Sequence, residues 1–254
     1  TLLATVATIC LGASIAACHG HENGSTTATP GSAGTSKSGC GDVPSASDLK
    51  KYLAMAPDSG EAGGLFHGRA EWAAVVNRAG ELCAYAAATD SAGGIWPGSQ
   101  AVAKAKAYTT NAFSTDTLAF STARLYTLAQ PGHSLFGVWQ PETFNPNCLA
   151  PLASRDGGVG KVCGGAIAFG GGVPIYKNGH IVGGLGLSGD TPCADHEIAK
   201  RIRDLAHMNP KAGKLVDDIT YSVVDRPSIY THPLCPNTWR NGQKIGEEPV
   251  AAGY

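Results

Sequence analysis

The chain has 254 residues, with 19 Lys plus Arg against 20 Asp plus Glu and a formal charge of −1. That balance, and the lack of any basic run or aromatic-basic stripe, excludes a nucleic-acid-binding surface. The apolar content of 43% is enough for one globular domain with a core.

Residues 1–17, TLLATVATICLGASIAA, are small, apolar and uncharged. The run falls short of the roughly 20 residues a membrane span needs and has the character of a signal-peptide h-region. No Met or basic n-region precedes it, so the chain is expected to begin inside a signal segment covering 1–18. Ile15-Ala16-Ala17-Cys18 has the pattern of a bacterial lipobox, which makes Cys18 the expected lipidation site and the membrane a partner through that anchor. The alternative is an ordinary signal peptide cleaved near Ala17. Residues 19–40 are rich in Gly, Ser and Thr and carry no large apolar side chain before Cys40, as expected of a flexible tether. Both features imply an exported protein, periplasmic or on the cell surface.

Residues 41–254 then form a single domain. Setting aside Cys10 and Cys18, six cysteines remain: Cys40, Cys83, Cys148, Cys163, Cys193 and Cys235. An even number in an exported chain predicts three disulfides. Cys148 and Cys163 flank a Pro/Gly-rich excursion and are the favoured pair; the order of the other four stays open.

Ser47-Asp48 lead into a short amphipathic helix that turns Leu49, Tyr52, Leu53 and Ala56 to one side. Glu71–Asn77 and Leu82–Ala88 read as a β-hairpin about Arg78–Glu81. Ser99 starts a helix whose apolar stripe runs Val102, Ala105, Thr109, Ala112 and Phe113, with Lys106 inside the stripe and Lys104 opposite. A lysine on such a stripe either makes a structural ion pair, for which Asp90 is the nearby candidate, or binds an anion at a site. A further helix is expected from Asp116 or Thr117 to about Ala129. Residues 133–160 read as irregular, an insertion near 139–163 stapled by Cys148 and Cys163.

Gly170-Gly171-Gly172 and Pro174 open a second hairpin, Val173–Tyr176 and His180–Leu187, about Lys177-Asn178-Gly179. Asn-Gly suits the positive φ of a type I′ turn. Gly184 and Gly186 share one strand face, which admits either a helix or a flat ligand close to the backbone. Thr191-Pro192 caps a helix facing Ile198, Ile202 and Leu205 inward, with His196 and His207 expected in solvent. Asp218–Val224 reads as a last strand, within a C-terminal extension from about 210. Hairpins separated by helices argue for an α+β fold with an antiparallel sheet.

Four blocks, VVNRAGELCAYAAATD, KAYTTNAF, AQPGHSLFGV and FGGGVPIYKNGHIVGGLGLSG, occur in this order. Together they resemble the GlcG/HbpS-like family, which includes the PduO C-terminal domain. The resemblance implies a profilin-like fold with a five-stranded antiparallel sheet flanked by helices, a homo-oligomer, and haem or another tetrapyrrole as ligand. A haem cleft is expected between the central helix and the glycine hairpin, lined by Lys106, Thr109, Phe113, Gly170, Gly171, Gly172 and Pro174. His67 and His133 are the candidate iron ligands, each with a purely structural loop role as the alternative. Two other classes stay open: an enzyme acting on a small anionic substrate or degrading haem, and a surface lipoprotein with a vestigial pocket.

Overall fold

The computed structural model describes residues 39–154 and 156–248, so the lipobox with Cys18 and nearly all of the tether lie outside the described residues. Its centre is a four-stranded antiparallel sheet in the order β2-β1-β4-β3. The strands are β1 (Trp72–Asn77), β2 (Leu82–Ala87), β3 (Gly172–Lys177) and β4 (His180–Ser188). The main sheet thus has four strands rather than the expected five. The Asp218–Val224 stretch, read as a strand, contributes only β5 (Thr220–Tyr221), which pairs in parallel with β6 (Thr231–His232) away from the main sheet. Strand extension is cut off at Tyr221, whose carbonyl accepts the N–H groups of Val224 and Asp225 while its own N–H goes to the Asp225 carboxylate. A separate ribbon of β7 (Thr238–Arg240) and β8 (Gln243–Gly246) completes the extension.

Alternation along the strands sorts the core into two layers. Ala73, Val75, Val173, Ile175, Leu185 and Leu187 face α1 (Ala46–Met55) and α3 (Pro192–Leu205), meeting Leu49, Leu53, Ile198 and Ile202. Trp72, Ala74, Val76 and Leu82 face α2 (Ser99–Ala112), meeting Ala103 and Ala107. Local chemistry fixes the helix starts. Ser45 and Asp48 form a reciprocal capping box on α1, and Thr191 caps α3 with Pro192 in its first turn. Asn178 and Gly179 carry φ of 53° and 82°, as the two-residue β3–β4 turn requires.

The helix expected over Asp116–Ala129 is instead a bend followed by two 3-10 turns, Thr122–Leu125 and Thr127–Ala129. Hydroxyls compete for the backbone here. Ser114 Oγ takes the Phe120 N–H, Thr115 Oγ1 takes the Leu118 N–H, and Ser121 Oγ donates to the Asp217 carbonyl.

Cys148–Cys163 is bonded, and the remaining four cysteines pair as Cys40–Cys83 and Cys193–Cys235. These bridges tie the N-terminal turn to β2, close the insertion, and fasten the extension to the first turn of α3. Among the described residues no helix is long and apolar enough to cross a membrane.

Candidate functional site

The glycine face of β4 is filled by a helix. A Cβ on Gly184 would overlap the Ala107 carbonyl oxygen, and one on Gly186 would overlap that of Ala103, both backbone atoms of α2. The small side of α2 therefore lies backbone-to-backbone on the sheet, leaving no slot there for a macrocycle. The Gly170–Gly172 bend is closed as well: the Gly170 N–H donates to His232 Nε2 at 3.2 Å and the Gly172 N–H to Thr122 Oγ1 at 2.8 Å. Pro174 is buried in β3, an edge strand that tolerates its missing donor, opposite Gly184.

Lys106 forms a structural ion pair, with Asp195 instead of Asp90. Its Nζ is 2.6 Å from Asp195 Oδ2 and 2.9 Å from the Leu187 carbonyl, and both side chains are almost wholly buried. Asp90 pairs with Lys50, at 3.1 Å. The other Asp195 oxygen accepts the Asp190 N–H at 2.9 Å. Beside this pair Glu71 is fully buried, with neither carboxyl oxygen hydrogen-bonded. Burial raises the Asp195 carboxyl to about 6 against the pull of Lys106. Burial first, and the Asp195 charge second, raise Glu71 well above the usual carboxylate range. Of the two, Asp195 is the one that Lys106 holds toward its anion, and Glu71 is the one pushed toward its uncharged form.

Lys104, opposite the apolar stripe as expected, is also buried. Its ammonium donates to Gln100 Oε1 and to the carbonyls of Cys148 and Gly157, and lies 3.6 Å from the Tyr85 ring centroid. With no carboxylate partner, burial lowers it to about 8. It pins the stapled insertion onto α2.

That insertion builds the cavity which the sequence misplaced. The apolar stripe of α2 faces outward, where segments 138–144 and 165–167 wall it in. Two adjoining apolar cavities of about 160 and 290 Å³ share Glu142, Gly165 and Ala166. The first reaches Tyr108, Thr109 and Phe113; the second runs past Val102, Ala105, Trp139 and Phe144. Thr109 fixes the inner wall: its hydroxyl donates to Ala105 O at 2.8 Å and Gly165 O at 3.3 Å, and accepts the Ile167 N–H at 3.0 Å. Phe136 stacks edge-on against Trp139 at 6.3 Å and extends the aromatic rim. Burial, then the Glu142 charge, push the Tyr108 phenol up. Of the expected binding residues, Thr109 and Phe113 thus meet in this groove, while Lys106, Gly170, Gly171, Gly172 and Pro174 belong to the packed interior.

Neither candidate iron ligand lines the groove. His133 is exposed in the loop after Gln130. His67 sits at a polar bowl of about 350 Å³ with Asp58, Glu61 and Arg69. The charges of that bowl are already paired, His67 with Glu61 at 2.9 Å and Arg69 with Asp58 at 2.8 Å. His196, expected in solvent, is fully buried on α3 under the extension, while His180 and His207 are exposed.

No curated protein matches the chain. Among solved structures, one described as a complex of PduOC with heme is 22% identical over 62% of this chain and 88% of its own, with a TM-score of 0.42. HbpS is 20% identical over 64% and 89%, also at 0.42. The Klebsiella pneumoniae protein ORFY is 21% identical over 61% and 86%, again at 0.42. The model of the family described as haem degrading protein HbpS-like matches residues 61–203, which span β1 to α3 and the groove between them. With more than half of its length matched, this chain belongs to the HbpS-like family.

Proposed function

We propose that this protein binds haem or a related tetrapyrrole, with the macrocycle lying in the groove between α2 and the stapled insertion. The observation that carries the reading is an apolar, aromatic-rimmed groove built inside the family-matched region. A flat ring suits two joined cavities walled by Trp139, Phe144 and Phe113. Among the described residues no cation lines the groove, so the two propionates point to water.

The groove fits the ring better than the metal. Among the described residues no His, Cys, Met or Lys lines it, and the groups with a lone pair suited to iron are Tyr108 and Glu142. The upward shift of the Tyr108 phenol works against phenolate ligation. Affinity therefore comes from burying the ring, and iron-free protoporphyrin binds within about tenfold of haemin, a difference of about 1.4 kcal/mol.

Ala112 is exposed on the groove wall, so Ala112→Trp fills the groove without disturbing the core. Titrations followed by the Soret band and by tryptophan quenching should give at least about tenfold weaker haemin binding for this variant, with an unchanged melting temperature. Equal affinity would move the site elsewhere, and no haemin binding by the native protein would end the reading. Haem degradation, which the family description names, would appear as a Soret band that decays with time under reductant; binding alone leaves it constant.

The export reading rests on the lipobox-like segment ending at Cys18 and is supported by three disulfides, which persist in oxidising compartments. Cys18→Ala should release the protein from the membrane fraction. The homo-oligomer implied by the family resemblance is tested by light scattering on the purified chain.

A further inference from the structure

The first turn of α3 and the extension together carry a pattern that the haem reading does not use. Cys193-Ala194-Asp195-His196 and His232-Pro233-Leu234-Cys235 are mirrored C-x-x-H and H-x-x-C pairs. Donor atoms of Cys193, His232 and Cys235 all lie within 4.8 Å of one another, and all three residues are buried. Cys193 and Cys235 are joined as a disulfide, which by itself has no need of a histidine alongside.

Two observations describe the surroundings of this cluster. First, His232 Nδ1 is 2.7 Å from the Pro233 carbonyl, so this nitrogen carries the proton and Nε2 presents the lone pair. That is the tautomer a metal-binding imidazole adopts, with a carbonyl holding the far side of the ring. The lone pair now accepts only the Gly170 N–H, at 3.2 Å. Second, His196 is fully buried one helical turn beyond Cys193, and neither of its ring nitrogens has a hydrogen-bond partner. Asp218 Oδ1 stands 3.6 Å from its Nε2, beyond bonding distance. The His196 Cβ packs beside Gly170 while its Nε2 faces Asp218, so this ring borders the cluster without joining the donor group.

We propose that, when the Cys193–Cys235 bond is reduced, Cys193, Cys235 and His232 bind a zinc-class divalent cation, with a water as fourth donor. A thiol or phosphine reductant supplies two electrons; the S–S bond breaks and, with two protons, becomes two thiols while the reductant is oxidised. Each thiol loses its proton on meeting the cation, so uptake of one ion releases two protons. Two thiolates and a dication sum to zero charge, which suits a cluster walled by Ala123, Ile219 and Leu234. Two thiolates, one imidazole and a water match the tetrahedral preference of zinc. Oxidation back to the disulfide expels the ion, so the site is gated by redox state.

The probe is Co²⁺ added to the full chain, oxidised or reduced with a phosphine. The reduced chain should take up one tightly held cobalt with tetrahedral visible bands and thiolate charge transfer, and the oxidised chain none. Cobalt or zinc should protect Cys193 and Cys235 from alkylation, mapped by mass spectrometry, ahead of the other cysteines. His232→Asn, which keeps a polar but smaller side chain, should weaken uptake by more than ~100-fold, beyond the roughly 10–100-fold span of outer-shell changes. His196→Asn, outside the donor group, should leave the tetrahedral bands and thiolate charge transfer in place. The absence of a tetrahedral signal from the reduced native chain overturns the proposal. So does protection of other cysteines instead, or an unchanged affinity in His232→Asn. Because the alkylation map uses the native chain, a variant that fails to fold does not rescue the idea.

Discussion

Lys106→Met separates scaffold from site most sharply. Methionine keeps the stem and its packing beside the Phe169 ring, which lies 4.9 Å from the ammonium. It removes the donor to Asp195 and to the Leu187 carbonyl. What remains is a carboxylate about 2% exposed, holding only the Asp190 N–H. Removing one partner of such a buried pair costs about 3–5 kcal/mol, or on the order of 10 °C in melting temperature for a domain of this size. Asp195 can escape by taking up a proton. Its carboxyl is already raised to about 6, and without Lys106 it rises further. A carboxyl raised on folding stabilises below its unfolded value and loses that contribution as pH rises through its folded value. The variant's deficit is therefore smaller at pH 5 than at pH 8. Urea unfolding at both values, with the slope m unchanged, measures it, and haemin titration of the folded variant should match the native protein. A loss below about 1 kcal/mol at both pH values, against the buried-pair expectation, would refute this reasoning. So would a fall in haemin affinity with stability intact.

Gly186→Ala drives a Cβ into the Ala103 carbonyl and the Ala107 N–H, backbone atoms that cannot swing aside. The cost should reach the upper end of the 1–3 kcal/mol overpacking range or exceed about 3 kcal/mol, read as a lower urea midpoint or as insoluble expression. Glu71→Gln should flatten the alkaline side of the stability profile. Glu71 is raised on folding, so native stability declines as pH climbs through its elevated value, and glutamine has no proton to lose there. An identical slope in both proteins, followed by denaturant midpoint, would assign the decline to another group.

The hairpins were legible because their signals are local: alternating apolar residues about Asn178-Gly179 and about Gly80. The face of α2 was not. Val102, Ala105 and Phe113 outweigh Ala103 and Ala107 on any hydrophobicity count, yet the alanines go inward. Contact with a glycine strand rewards small size over apolar bulk, and the bulkier stripe is left to line the groove. The partner of Lys106 is 89 positions away in sequence, out of reach of helical phase. The groove's outer wall depends on how a disulfide-closed insertion folds back, which no periodicity encodes. Likewise His196 lay on the correct helix but on a face whose cover, the C-terminal extension, has little regular structure to predict.

The three disulfides also decide what a protease can do to this molecule. Cuts at the exposed Leu215-Val216 or Val223-Val224 fall between Cys193 and Cys235, and cuts at Leu149 or Val159 fall between Cys148 and Cys163. A chain nicked at those places remains one covalent particle until it is reduced. Residues 131–142 are different: they are largely exposed and lie outside all three closed loops. A single cut there divides the polypeptide into two pieces that no bridge among the described residues joins, held together by non-covalent packing alone, and it does so in the segment that forms the groove's rim. The rim is thus a covalent weak point of a stapled body, and an occupied groove would shield it.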